Sequence, residues 1–216
     1  MKREFKVTLT FDNGPDPVVT PQVLDVLRTR GVAATFFVLG EKLEHEAGQA
    51  LIARASREGH WIGNHTYTHV PLGSWPGEAR AASEICRTQD RIGTLAHPSR
   101  LFRPTGGDGT LGPALLSAAA AAILERDRYS MVLWNAVPRD WLDTETWPDT
   151  ALAQCLAQPH TVLVLHDLAT GAMAQLDRFI VSVQAAGGQF EQSFPETCVP
   201  LFEGCARTPL TPFITQ

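Results

Sequence analysis

Asp12, His65, His69 and His166 are the residues of this 216-residue chain whose types and settings could do chemistry: a carboxylate, two imidazoles four residues apart, and a third imidazole beside a carboxylate. Together they could activate a water, hold a divalent ion and deliver a proton, which is what metal-assisted hydrolysis requires. Asp12 follows the apolar run Phe5 to Phe11 and precedes Asn13-Gly14-Pro15. Asn-Gly is a strong hairpin signal between alternating strands, but Val18-Val19-Thr20-Pro21 leads into a helical pattern, which weakens that reading. The spacing of His65 and His69 in HTYTH predicts both rings on one side of a helical turn, suited to zinc or a similar ion. An isolated histidine pair is more often hydrogen-bonded than metal-bound, and a catalytic ion takes three protein ligands, so a third donor must come from elsewhere. In Asp140-Trp141 and His166-Asp167 a carboxylate close to a histidine would raise it and orient it as a proton donor. Arg103 could orient a carboxylate by a forked hydrogen bond, although a surface position is the commoner outcome for an arginine.

Positioning residues so far apart in sequence requires a repetitive scaffold. Apolar runs rich in β-branched and aromatic residues alternate with stretches of helical period, the pattern of βα units around a parallel sheet. The strand candidates are Phe5 to Phe11, Ala34 to Leu39, Trp61 to Asn64, Arg100 to Phe102, Ser130 to Trp134, Thr161 to Leu165 and Phe190 to Phe194. The helix candidates are Pro21 to Arg30, His45 to Glu58, Gly77 to Leu95, Leu111 to Asp127, Pro148 to Leu156 and Gly171 to Ala186. Thr20-Pro21 reads as a helix start, and Gly31 and Gly59 as stops. Asp12, His65, Arg103, the Asn135 to Asp140 segment and His166 all fall just after strand candidates. That is the edge at which parallel α/β barrels build active sites.

The length fits one domain over residues 1–216, with no repeat or linker. A formal charge of −5, with both signs interspersed, offers a nucleic-acid backbone no positive surface. The longest apolar runs, such as Ala118 to Leu124, fall far short of the ~20 residues that span a bilayer. The opening Met1-Lys2-Arg3-Glu4 passes directly into a strand with no signal-peptide segment, so the expectation is a cytoplasmic protein, or an exported one whose leader has been removed. Of the four cysteines, Cys86 and Cys155 are expected as buried thiols, while Cys198 and Cys205 could pair if the chain is exported.

The ordered segments TFDNGP, GNHTYTH, LFRPTGG, WNAVPRDW and VLVLHD, with GVAATFFVLG and EGHWIG between them, closely resemble the five-motif signature of the polysaccharide deacetylases, carbohydrate esterase family 4 with its NodB homology domain. The resemblance covers roughly residues 5 to 170. It implies an α/β fold, a distorted (β/α) barrel of about seven parallel strands, in agreement with the strand candidates. It also implies Asp12 as general base, Asn13, His65 and His69 as ligands of zinc or cobalt, Arg103 as the residue orienting Asp12, and His166 as general acid held by Asp140. Trp141 and Val164 match positions that enclose the acetyl methyl group, and a backbone N–H near Gly106 would face the oxyanion. The implied reaction removes N-acetyl groups from N-acetylated sugars of chitooligosaccharide or peptidoglycan type.

The chain departs from the pattern at three places: Asn13 and Val137 stand where aspartates are usual, and Gly106 where tyrosine is usual. An amide oxygen can ligate a metal but brings no charge, so weaker metal affinity is expected. The departures keep two alternatives open, a weakened relative that binds carbohydrate without hydrolysing it, and a deacylase of small amides. A pure binding protein has no need of an acid and a base together. Trp75 and Trp147 could stack on sugar rings or equally be packed in the interior.

Overall fold

The computed structural model of the protein describes residues 4–74 and 77–215, so Trp75 lies outside the described residues. Its organising strand is β1 (Phe5–Asp12), in which only Lys6 is exposed. FKVTLTF alternates apolar and polar residues, yet both faces are buried: the hydroxyls of Thr8 and Thr10 are hydrogen-bonded, that of Thr10 donating to Leu163 O at 2.7 Å. On one side β1 pairs along Lys6–Asp12 with β6 (His160–His166). On the other it pairs first with β7 (Gly188–Phe190) and then with β2 (Thr35–Val38). The parallel sheet continues through β3 (Trp61–Asn64), β4 (Leu101–Phe102) and β5 (Ser130–Met131). Beyond β5 the chain runs on to a parallel bridge between Ala136 and Leu163, which carries the curled sheet round to β6.

The architecture bears out the expected distorted (β/α) barrel: a curled half-barrel with seven parallel strands among the described residues. A short antiparallel pair, β8 (Leu201–Phe202) and β9 (Cys205–Ala206), extends the β5 edge and was not expected from the sequence. Six helices follow the strands among the described residues: α1 (Val19–Arg30), α2 (Glu46–Arg57), α3 (Glu78–Ile92), α4 (Ala118–Arg126), α5 (Trp147–Leu156) and α6 (Leu176–Ala186). The start of α1 corrects the sequence reading. Thr20 does not cap it; Asp16 Oδ1 accepts the N–H groups of Val18 and Val19 instead, at 2.9 and 2.8 Å. Gly31 ends the helix in the left-handed region at φ 65°, as expected. The helix expected from Leu111 begins only at Ala118, because Gly112 and Pro113 break the run and Leu116 leaves it to bridge Ile214.

Leu9, Phe11, Leu24, Leu27, Trp147 and Phe179 are among the side chains that fill the interior between β1 and its helices. Trp147 is fully buried, with its indole N–H donating to Ala172 O at 2.9 Å, so it is a packing residue and not a sugar platform. All four cysteines are free thiols: Cys155 and Cys198 are buried, Cys205 is exposed, and Cys86 is half-buried rather than buried. No described helix is long and apolar enough to cross a membrane.

Candidate active site

The register of the sheet places Asp12 and His166 side by side. They are direct partners at the C-terminal ends of β1 and β6, so a carboxylate and an imidazole from positions 154 residues apart open onto one cavity of about 230 Å³. His65, His69, Asn13, Gly106, Trp141 and Val164 line the same cavity. Every site residue named from the sequence except the two supports, Arg103 and Asp140, thus reaches that cavity, and those two stand directly behind it.

Arg103 is fully buried and its Nη1 donates to Asp12 Oδ1 at 2.9 Å and to Thr10 Oγ1 at 2.6 Å. The expected fork is absent, since one nitrogen alone meets the carboxylate. The remaining donors turn to backbone carbonyls of Val132 and Leu133, and the guanidinium lies 4.1 Å over the Phe37 ring. Burial lowers the Arg103 pKa, opposed by the Asp12 carboxylate. Each ion makes the other tolerable in an interior that would reject either alone.

His166 is held on two sides by Asp140, which is fully buried. Asp140 Oδ1 accepts from His166 Nδ1 at 2.9 Å and Oδ2 from the His166 backbone N–H at 3.0 Å. A carboxylate only accepts, so Nδ1 carries hydrogen and Nε2 is the atom that exchanges a proton with the cavity. Burial alone would depress the His166 pKa, but the Asp140 hydrogen bond and charge outweigh it and raise the value. Trp141 stands edge-on to this ring at 4.9 Å. Asp167, the carboxylate next in sequence, plays no part in holding the imidazole. It is fully buried behind the site, accepts the Thr20 hydroxyl, and lies so close under Gly14 that a Cβ there would come within 2.2 Å of Oδ2. Burial raises its pKa to about 7.

The histidine pair corrects a second expectation. Residues 65–70 form an irregular loop, not a helical turn, with Thr66 and His69 in the left-handed region at φ 71° and 60°. The rings nevertheless meet at 5.2 Å between centroids. Glu84, buried on α3, supplies the support: its carboxylate accepts the N–H groups of Tyr67 and Thr68 and the Thr68 hydroxyl at 2.8–2.9 Å. Asn64 Oδ1 accepts the Thr66 N–H at 3.0 Å. Neither support was found from the sequence, where Glu84 reads as one more charge on an amphipathic helix.

His65 Nδ1–H donates to Arg103 O at 2.8 Å, leaving the Nε2 lone pair free on the cavity side. Burial lowers its pKa and pushes that of His69 down to about 4, which favours the neutral form of each ring. A neutral imidazole with one nitrogen fixed by a carbonyl, as in His65, is the form that binds metals. The Asn13 amide oxygen, on a backbone at φ 71°, is buried and accepts no hydrogen bond. A buried orphan acceptor beside two imidazoles suits a cation. Among the described residues no three His, Cys, Asp or Glu side chains could hold a metal between them; the Asn13 amide oxygen is the further donor on this cavity.

The departure at Gly106 also has a structural reason. A Cβ there would lie 2.3 Å from Trp134 Cη2 and 2.5 Å from Cζ2. The indole of Trp134, a residue not singled out in the sequence, occupies the space into which a side chain at 106 would point.

A curled βα half-barrel with a paired carboxylate and imidazole at its C-terminal edge brings together the groups that acid–base chemistry requires. The sequence profile of the polysaccharide deacetylases matches residues 2–123, and the chain belongs to that family. A peptidoglycan-N-acetylglucosamine deacetylase of Bacillus cereus is 31% identical over 192 residues, 86% of this chain and 66% of that protein. A chitooligosaccharide deacetylase of Rhizobium leguminosarum bv. trifolii is 36% identical over 163 residues, 74% of this chain and 71% of that protein. A family 4 carbohydrate esterase from Streptomyces lividans in complex with acetate superposes with a TM-score of 0.74 at 27% identity, covering 95% of this chain and 98% of that one. A family 4 acetyl xylan esterase from Clostridium thermocellum in complex with a cobalt ion gives 0.69 at 26%, covering 86% and 87%. The chain spans just under two thirds of the first Bacillus cereus relative and 38% of related Listeria monocytogenes deacetylases.

Proposed function

We propose that the protein is a metal-dependent deacetylase of N-acetylated oligo- or polysaccharides of the peptidoglycan or chitooligosaccharide type, working as one catalytic domain. The observation that carries this reading is the register pairing of Asp12 with His166 on a cavity that also presents the imidazoles of His65 and His69. Asn13 Oδ1, His65 and His69 would hold zinc or cobalt. When bound, the ion supplies Lewis-acid polarisation of the amide carbonyl and of the attacking water. Asp12 takes the water proton, with Arg103 fixing its other oxygen. An amine leaves poorly, so His166 delivers a proton from Nε2 to the departing nitrogen. Backbone N–H groups of the loop at Gly106 face the oxyanion, while Trp141 and Val164 enclose the acetyl methyl.

A second cavity of about 470 Å³ shares Gly109, Trp134 and Val137 with the first and is lined by Asn135, Arg139 and Gln158. This second cavity beside the first supports an oligomeric substrate over a small amide. The intact Asp12–Arg103 and Asp140–His166 pairs favour catalysis over binding alone.

Acetate release from chitooligosaccharides and from peptidoglycan fragments tests the reading. The expected outcome is release that a chelator abolishes and that added zinc or cobalt restores; no acetate from either substrate with either metal would contradict it. For the ligand set, Asn13→Asp adds a charge at the site and is expected to tighten metal binding by about tenfold or more. Competition against a chelating dye measures this, and an unchanged affinity would remove Asn13 from the ligand set.

A further inference from the structure

We propose that Trp134 is a positioning residue: its indole pins the glycine loop 106–109 against the barrel, so that the loop's backbone N–H groups hold their place over the cavity. The inference rests on the deacetylase reading for its catalytic consequence and on the loop geometry for the rest.

The loop needs such a support. Four of the seven residues from 106 to 112 are glycines, and Gly107 and Gly109 sit at φ 26° and 89°. A chain of this composition gains more freedom on release than any other, so preorganised N–H donors demand an external tie. The indole meets the loop at both ends. Its Nε1–H donates to Gly109 O at 2.8 Å, and its far edge lies where a Cβ of residue 106 would be, 2.3 Å from Cη2. Gly106 itself has no left-handed backbone, so what demands glycine there is the ring and not the turn. Between these ends Gly109 N–H closes the turn onto Gly106 O at 2.6 Å. Another tie from the same wall, Arg139 to Asp108 at 3.7 Å, joins two exposed side chains and contributes little. The ring is 6% exposed and lines both cavities, so it forms the wall from which the loop hangs, not a stacking platform.

Oxyanion donors act in the transition state, so a loosened loop lowers kcat and leaves KM nearly unchanged. Trp134→Phe keeps an aromatic ring in the interior and deletes the N–H that reaches Gly109. The expected result, with zinc-loaded protein and a chitooligosaccharide, is amide exchange at Gly109 about tenfold faster and kcat about five- to tenfold lower, with KM within about twofold. Gly106→Ala, whose methyl displaces the ring from the other side, should reproduce the kcat loss, and the double variant should lose little more than either single one. Unchanged exchange at Gly109 in Trp134→Phe overturns the proposal, as does a change confined to KM. If the unaltered protein releases no acetate, the proposed function fails and the catalytic half of this inference fails with it, while exchange at Gly109 still decides whether the indole holds the loop.

Discussion

Replacing Asp12 with asparagine is expected to lower acetate release by about 10²–10⁴-fold, the usual contribution of a positioned general base. The amide is nearly isosteric and its oxygen can still accept from Arg103 Nη1, now at 2.9 Å from the carboxylate, so the hydrogen bond survives. What disappears is the proton acceptor and the negative charge. Arg103 is then left ionised and fully buried without a counter-charge, so the variant folds but melts at a lower temperature than the unaltered protein. Activity and thermal unfolding measured on the same preparation separate the two effects. Turnover within about tenfold of the unaltered protein would count against Asp12 as the base.

The converse change has its largest effect on stability. Arg103→Met is expected to cost about 3–5 kcal/mol, because it strands the Asp12 carboxylate in an interior with nothing to balance it. It also removes the donors that satisfy Thr10 Oγ1 and the carbonyls of Val132 and Leu133, and so unties β1 from the wall beyond β5. Denaturant unfolding provides the measure, and a loss below about 1 kcal/mol would mean that the pair contributes no more than a surface ion pair.

How much of this was legible in the sequence depended on the range of the interactions involved. Asp12 and His166 end apolar runs that read plainly as buried strands, and strand ends are where such a fold gathers its chemistry. Their direct pairing follows from sheet register, which only the assembled structure fixes. The His65–His69 loop was misread as helical because four-residue spacing is a local signal. Its actual shape needs Glu84, which arrives from α3 to accept three hydrogen bonds. Thr20 failed as a helix cap for the same reason, since its hydroxyl is drawn to Asp167 on a distant strand end. The Gly106 departure was visible in sequence, but its counterpart Trp134 lies 28 positions away, and nothing local links the two. The β8–β9 pair has two residues to a strand, too few for any periodic pattern to register.

The assignment of His166 as an acid raised and held by Asp140 is the centre of the proposed mechanism, and the pH profile of acetate release by the unaltered protein and by Asp140→Asn tests it most directly. His166 must be protonated to serve the leaving nitrogen, so activity should fall as pH rises through its elevated pKa. Removing the Asp140 charge lowers that pKa. The alkaline limb should therefore move to lower pH in Asp140→Asn, with reduced activity throughout; a limb that stays in place would show that the proton comes from another group.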